Sequence, residues 1–174
     1  MSICPDCGHE NIEGADFCEE CQQPLSFLSK PRASSDVEYG VHKDRIHVLS
    51  PREPIVATPD TTVGEVLKLL AERKVGCVII AEEGEVVGIF SERDALTRLN
   101  TRVDDLRDRP ISEFMTPSPA TLEMEDKIAF ALHKMDLGGY RHIPILRDGD
   151  IVGVISVRDI LRYFSEKILA GDTV

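Results

Sequence analysis

The chain has 174 residues, 42% hydrophobic and 29% charged, which suits a globular protein with room for one ordinary domain and a small extra unit. Its net charge of −11 argues against broad contact with nucleic-acid phosphate or anionic membrane, both of which call for clustered Lys and Arg, but leaves room for one local basic pocket. No apolar run is long enough to span a membrane, and the first residues show neither the basic nor the apolar region of a signal peptide, so the expected location is cytoplasmic, with no membrane partner.

The first unit covers residues 1–25. Cys4 and Cys7 form one Cys-x-x-Cys and Cys18 and Cys21 a second, with Gly8 placed to close the first turn. Four thiolates are the number a closed tetrahedral structural zinc site takes, and paired Cys-x-x-Cys without an export signal reads as metal binding rather than as disulfides. Iron bound by the same four thiolates, or a redox dithiol pair, keeps the same spacing. Ile12, Phe17 and Leu25 are the only core candidates, so metal binding is expected to supply most of the folding free energy. The unit is similar to the short zinc ribbons that open many prokaryotic proteins. It carries Asp6, Glu10, Glu13, Asp16, Glu19 and Glu20 and no Lys or Arg before Lys30, which favours a structural or protein-contacting ribbon over a nucleic-acid-binding one.

Residues 26–44 read as a linker: Ser, Pro and charge without sustained periodicity. Phe27, Leu28, Val37 and Tyr39 are apolar exceptions that could dock it on its neighbour.

The rest is a duplication. At a constant offset of 65 and without a gap, 55–99 aligns with 120–164, pairing Leu67 with Leu132, Gly84 with Gly149, and Gly88, Ser91, Arg93 and Asp94 with Gly153, Ser156, Arg158 and Asp159. Two copies of one supersecondary unit are implied, over 45–108 and 109–174. Each opens on a short extended piece (Ile55–Ala57, Ala120–Leu122). A helix follows, with Val63, Val66, Leu67 and Leu70 on one face in the first copy and Ile128, Ala131, Leu132 and Met135 in the second. Next come an apolar strand, a tight turn (EEGE, RDGD) whose glycine suits positive φ, a second strand, and a closing helix that starts at Ser91 or Ser156. The order is β-α-β-β-α in an α/β (α+β) class. The mixed charge run from Arg102 to Arg109 between the copies reads as a solvated face.

The stretches GVISVRD and GIFSERD, the strand YRHIPIL with its counterpart VGCVIIA, and MTPSPAT together resemble a tandem pair of CBS domains, the regulatory unit called a Bateman module. The resemblance covers about residues 45 to 165. It implies two repeats packed about a pseudo-two-fold axis, clefts that take AMP, ADP, ATP or S-adenosylmethionine, and pairing into homodimers.

A Ser-x-x-Asp at a helix start is a sufficient capping box by itself, with Ser91 or Ser156 at the N-cap and Asp94 or Asp159 at N3. The same geometry can bind nucleotide, because a helix N-terminus attracts phosphate. The resemblance gives phosphate to the serine and the ribose hydroxyls to the aspartate. The principal cleft is expected at Ser156, Arg158 and Asp159, flanked by Tyr140, Arg141, His142, Ile143 and Pro144, since Arg141 and His142 suit phosphate. Copy one has Ser91, Arg93 and Asp94 but only Gly76 and Cys77 at the flank, so its occupancy is left open. The resemblance places part of each adenine pocket near Ile55 and Ala120. Tyr140 suits base stacking and a rim position equally, and Cys77 reads as a buried apolar residue.

No catalytic set is evident: neither G-x-S-x-G, P-loop nor HExxH occurs, and His133 has no paired nucleophile. The expectation is a non-enzymatic sensor of adenosine nucleotide that signals to an effector protein. The alternative is a zinc-ribbon nucleic-acid or transcription-complex adaptor regulated by the CBS pair.

Overall fold

Two hairpins, one per copy, carry the architecture, and their turns explain how they form. Glu83 and Gly84 (φ 51° and 90°) and Asp148 and Gly149 (φ 53° and 89°) make two-residue loops with both φ positive, the type that matches strand twist. The computed structural model describes residues 2–4, 6–12, 15–25 and 35–171. In chain order these form β1 (Ser2–Ile3), β2 (Glu10–Asn11), α1 (Asp36–Lys43), β3 (Val56–Ala57), α2 (Val63–Arg73), β4 (Cys77–Glu82), β5 (Glu85–Ser91), α3 (Glu92–Asp94), α4 (Val103–Leu106), β6 (Thr116–Pro117), β7 (Leu122–Glu123), α5 (Ile128–Gly138), β8 (His142–Arg147), β9 (Asp150–Ser156) and α6 (Val157–Gly171). The β-α-β-β-α order of each copy is therefore as its pattern predicts.

The chain falls into two compact units. One comprises Pro51–Glu123 and His142–Ile155 and holds the sheets of both copies. In copy one the order is β3-β4-β5-β6; in copy two it is β7-β8-β9. The lead-in strands β3 and β7 run parallel to β4 and β8, and β4 pairs antiparallel with β5. Val63, Val66 and Leu70 on one face of α2 meet Val78 and Ile80 of β4, Phe90 of β5, Leu99 and Ile111 in a continuous core. Thr62 and Glu65 form a capping box at the start of α2.

The copies exchange lead-in segments. Thr116–Pro117, ahead of the first strand of copy two, adds β6 to β5 of copy one. In return Arg52, ahead of the first strand of copy one, exchanges both backbone hydrogen bonds with Val154 of β9, each 3.0 Å. This crossing explains the glycine that opens both Gly-x-x-Ser-x-x-Asp stretches. A Cβ on Gly88 would meet the Met115 side chain, and one on Gly153 would meet Pro51 Cβ at 2.7 Å.

The other unit comprises Met1–Ser50, Met124–Arg141 and Ser156–Val174. Its ribbon begins with the β1–β2 pair. Two knuckles repeat one geometry: Gly8 N–H donates to Cys4 O and Gln22 N–H to Cys18 O, both at 2.9 Å, while the Cys4 and Cys18 N–H groups donate to His9 O and Gln23 O. Gly8 and Gln22 both have positive φ. The interior is Cys4, Cys18 and Leu25, with Ala15 and Cys21 packed on it. Ile12 and Phe17, expected inside, are 71% and 59% exposed. The cysteine cluster fills the small interior and leaves no space for them.

Part of the expected linker is helical. Ser35 caps α1 by accepting from Glu38 N–H, and Gly40 and Val41 are buried. Gly40 lies against Tyr163 and Lys167 of α6, where a Cβ would collide with the Tyr163 hydroxyl. Tyr163 donates to Asp44 (2.8 Å), and Lys167 pairs with the same carboxylate at 2.9 Å. Burial raises the Asp44 pKa, but its bonds from Lys167 and Tyr163 outweigh that and hold it below the usual range. Val37 is half-buried and Tyr39 exposed beneath Lys43. Residues 26–34, with Phe27 and Leu28, lie outside the described residues.

Candidate functional site

Each Ser–Asp pair sits where a strand hands over to a helix; in copy one the full capping box is made, and in copy two the aspartate carboxylate caps the serine N–H. In copy two, Ser156 N–H and Oγ–H donate to Asp159 Oδ2 at 2.8 and 2.7 Å. Asp159 is 1% exposed and Ser156 9%, so this is a buried carboxylate with a hydroxyl beside it at the head of a 15-residue helix. Arg162, one turn on, uses a single nitrogen, Nη2, to reach both Asp159 Oδ1 (3.1 Å) and Leu49 O (3.0 Å). Val157 N–H donates to Arg141 O at 3.0 Å, which ties the helix start to the Tyr140–Arg141 segment. The Arg141 and Arg158 side chains are exposed, and the half-buried Tyr140 ring lies against the Cα of Gly138.

Copy one repeats the frame. Ser91 N–H and Oγ–H donate to Asp94 Oδ2 at 2.9 and 2.6 Å, Asp94 N–H returns to Ser91 Oγ at 3.3 Å, and Glu92 N–H donates to Gly76 O at 3.1 Å. Arg93 is exposed, as Arg158 is. The surroundings then diverge. Asp94 Oδ1 pairs with Arg98 Nε at 3.2 Å and accepts from the Thr116 hydroxyl at 3.4 Å. The helix does not continue as it does in copy two: a π turn spans Ala95–Leu99, and Asn100 follows at φ 50°.

The flank residues fall into two groups. Ile143, Pro144 and Cys77 are buried strand residues, whereas Ile55 and Ala120 are half-buried on the lead-in segments. The His142 ring stands over Gly76, where a Cβ would come within 2.5 Å of its Nε2. The bare backbone of copy one at Gly76 thus makes room for the imidazole of copy two. Burial, with Glu92 nearby, pushes the Cys77 thiol up to about 12, which makes it an unreactive core residue. The sequence reading missed Arg98, Thr116, Arg162 and Leu49. An arginine three or four residues beyond a helical aspartate was a legible signal for two of them; the contacts with Thr116 and Leu49 are long-range and carried none.

The second candidate centre is the cysteine cluster. The Sγ atoms of Cys4, Cys7, Cys18 and Cys21 all lie within 4.8 Å of one another, with Cys4–Cys21 and Cys7–Cys18 at 3.6 Å. A tetrahedral ion with Zn–S bonds of 2.3 Å sets its sulfurs about 3.8 Å apart, so the set fits such an ion. At Cys18, burial raises the thiol pKa, but the N–H groups of Cys21 and Glu20 and the neighbouring thiols outweigh that and bring it down to about 6. At Cys21 the Gln23 N–H favours the thiolate, yet burial and the other three thiols push it up to about 12. The arrangement thus favours the thiolate at Cys18 and opposes it at Cys21, where a bound cation would offset the charge.

Comparison with known proteins gives the same frame. The family profile described as "CBS domain" matches residues 47–101 and 111–166. An uncharacterized 17.7 kDa protein of Acidianus ambivalens is 33% identical over 109 residues, covering 62% of this chain and 65% of its own length, so the chain spans just under two thirds of that relative. Among solved structures, the CBS domain pair of protein MJ0100 in complex with 5'-methylthioadenosine and S-adenosyl-L-methionine superposes with a TM-score of 0.61 at 23% identity, covering 71% of this chain and 97% of that one. CBSX2 in complex with AMP gives 0.55 at 23%, covering 68% and 96%. At those identities the likeness carries the fold alone. Two matched repeats covering most of the chain, folded with exchanged lead-in segments and a Ser–Asp pair at each strand-to-helix junction, make this chain a member of the CBS-domain family with an N-terminal four-cysteine ribbon.

Proposed function

We propose that the chain is a non-enzymatic cytoplasmic regulatory module that binds an adenosine compound, AMP, ADP, ATP or S-adenosylmethionine, with its principal site at Ser156 and Asp159. The observation that carries this reading is the buried Ser156–Asp159 pair at the head of α6, in a fold whose solved neighbours hold AMP and S-adenosylmethionine. Here Asp159 takes the ribose hydroxyls, Ser156 and the α6 N-terminus take phosphate or its equivalent, Arg141 and Arg158 supply positive charge, and His142 is a further phosphate partner. Ile143, Pro144, Tyr140, Ile55 and Ala120 are the remaining proposed contacts. Ser91, Arg93, Asp94, Gly76 and Cys77 form the corresponding set of copy one. The functional division follows the sequence: ribbon 1–25, linker 26–44, repeats 45–108 and 109–174.

A thermal-shift series with the four compounds tests the site. A ligand at a hundred times its Kd stabilises the native state by about 2.7 kcal/mol, a rise in Tm of roughly 5–10 °C. Asp159→Ala is expected to abolish that rise, and Asp94→Ala to leave most of it. A rise retained in Asp159→Ala and lost in Asp94→Ala overturns the ranking; no rise with any of the four at millimolar concentration overturns nucleotide sensing.

The signal leaves through protein contact. The ribbon holds a structural zinc and faces a partner protein: Asp6, Glu10, Asp16, Glu19 and Glu20 are exposed beside exposed Ile3, Ile12 and Phe17, a surface unsuited to nucleic-acid phosphate. On α6, Val157, Leu161, Phe164 and Ile168 recur at spacings of four and three, with Leu161 and Ile168 more than half exposed, a stripe that fits a second copy. Leu161→Glu is expected to convert a dimer into a monomer in light scattering; an unchanged mass removes α6 from the interface. No helix among the described residues is long and apolar enough to cross a membrane.

A further inference from the structure

We infer that the first Ser–Asp site is closed by its own Arg98, so that a ribose reaches Asp94 only when that arginine is displaced. This deepens the nucleotide reading above and rests on it.

The argument begins with the capacity of a carboxylate. Its two oxygens offer about four acceptor positions. At Asp94 all four are taken: Oδ2 by Ser91 N–H and Oγ–H, and Oδ1 by the Thr116 hydroxyl and the Arg98 guanidinium. Both hydroxyls of a ribose would need positions that donors of the chain already fill.

Arg98 is also anchored on its far side. While Nε faces Asp94, Nη1 donates to Phe114 O (2.9 Å) and Met115 O (2.5 Å), and Nη2 donates to Thr116 Oγ1 (2.9 Å). The planar fork is satisfied in three directions at once, a geometry that lysine cannot copy. The anchoring carbonyls lead into β6, which lies ahead of the first strand of copy two and pairs with β5 of copy one. Arg98 therefore ties the first Ser–Asp junction to the exchanged strand. The π turn at Ala95–Leu99 carries the arginine, and such wide turns recur at functional sites.

Copy two is built differently. The position aligned with Arg98 is Tyr163, which turns to Asp44 instead. The arginine that reaches Asp159 is Arg162, aligned with Thr97, and it holds Asp159 Oδ1 and Leu49 O through one nitrogen. An arginine held at one nitrogen can swing to a ligand's phosphate; one held at three must give up its whole set. The closure thus belongs to copy one, and it makes the module one-sited.

Equilibrium dialysis or calorimetry with AMP and with S-adenosylmethionine counts sites per chain. The expected result is one site in the wild type, two in Arg98→Ala, and one again in Arg98→Ala/Asp94→Asn. Two sites in the wild type overturn the closure, as does a folded Arg98→Ala with one site; either leaves nucleotide binding standing. No site in either protein overturns the nucleotide reading and the closure with it. No site in the wild type but one in Arg98→Ala supports the closure and overturns the assignment of the principal site to Asp159. Should Arg98→Ala fail to fold, Arg98→Lys keeps the charge without the fork. It is expected to show a second site at least tenfold weaker than the first, and its absence overturns the proposal.

Discussion

Cys18→Ser is expected to strip the proposed zinc from the ribbon and unfold it, while the hairpins at 77–91 and 142–156 keep their structure. Cys18 is fully buried, in an apolar cluster with Cys4 and Leu25. A core of Cys4, Cys18 and Leu25 buries too little apolar surface to repay the ordering of so many residues. Structural zinc contributes about 10–16 kcal/mol to comparable small units at neutral pH, so its loss outweighs everything else that holds the ribbon. Hydrogen exchange reads the result directly. The amides of Cys4, Gly8, Cys18 and Gln22, which close the two knuckles, lose protection in the variant and in wild type treated with chelator. The exposed Cys7 gives the same outcome when replaced by Ser, because the ion needs all four sulfurs, not burial of any one. Metal analysis falls from one zinc per chain to none. Knuckle amides that stay protected without metal show that the ribbon folds on packing alone.

The duplication was legible because it is a local pattern written twice. Helix α2 follows from Val63, Val66 and Leu70 at helical spacing, the turns follow from Gly84 and Gly149, and the Ser–Asp caps follow from a four-residue signature; each is a short-range rule. Three features escaped for identifiable reasons. Helix α1 is only eight residues long, too short for periodicity to stand out, yet Ser35 and Glu38 form the first half of a capping signal that was there to be read. Ile12 and Phe17 read as interior because they are apolar, a rule that fails where a cysteine cluster replaces a hydrophobic core. The copy-one helix was expected to run on from Ser91 as its twin does from Ser156. Instead it passes into the π turn, where the Thr97 hydroxyl bonds back to Arg93 O and Asn100 supplies a left-handed residue.

The candidate site divides in the same way. Ser156, Asp159, Ser91 and Asp94 are local in sequence and their pairing is visible there. What surrounds them is not local: Leu49 lies 113 positions from Arg162, and the Phe114–Thr116 acceptors of Arg98 fall within the bounds of the other copy, outside the aligned stretch. An exchange of strands between repeats leaves no short-range mark except the glycine at each crossing.

That mark yields the second large effect, Gly153→Ala against Gly88→Ala. Both glycines open the same motif and both are crossed by the other copy's lead-in segment. Overlap distance alone ranks Gly88 as the worse site, since an added Cβ there comes to 2.2 Å from Met115 Sδ, against 2.7 Å from Pro51 Cβ at Gly153. Stiffness reverses the ranking. Met115 is an unbranched thioether that can change rotamer, whereas Pro51 is a closed ring whose φ is fixed and whose neighbour Arg52 is hydrogen-bonded in both directions to Val154. The methyl at Gly153 must therefore move backbone and break that exchange, or distort β9 just before Ser156. Overpacking of this kind costs about 1–3 kcal/mol. The opposing gain, about 0.4–1 kcal/mol from a stiffer unfolded chain, is the same at both sites. Gly88→Ala is accordingly near neutral, and Gly153→Ala, with a net loss of up to about 2.6 kcal/mol, lowers Tm by up to roughly 10 °C. Because the distortion falls next to Ser156, Gly153→Ala is also expected to weaken nucleotide binding at the proposed Asp159 site, and Gly88→Ala is not. Equal Tm losses, or a larger loss at Gly88, mean that the Pro51 segment yields as easily as a methionine and that the exchange is not what holds the Ser156 junction in place.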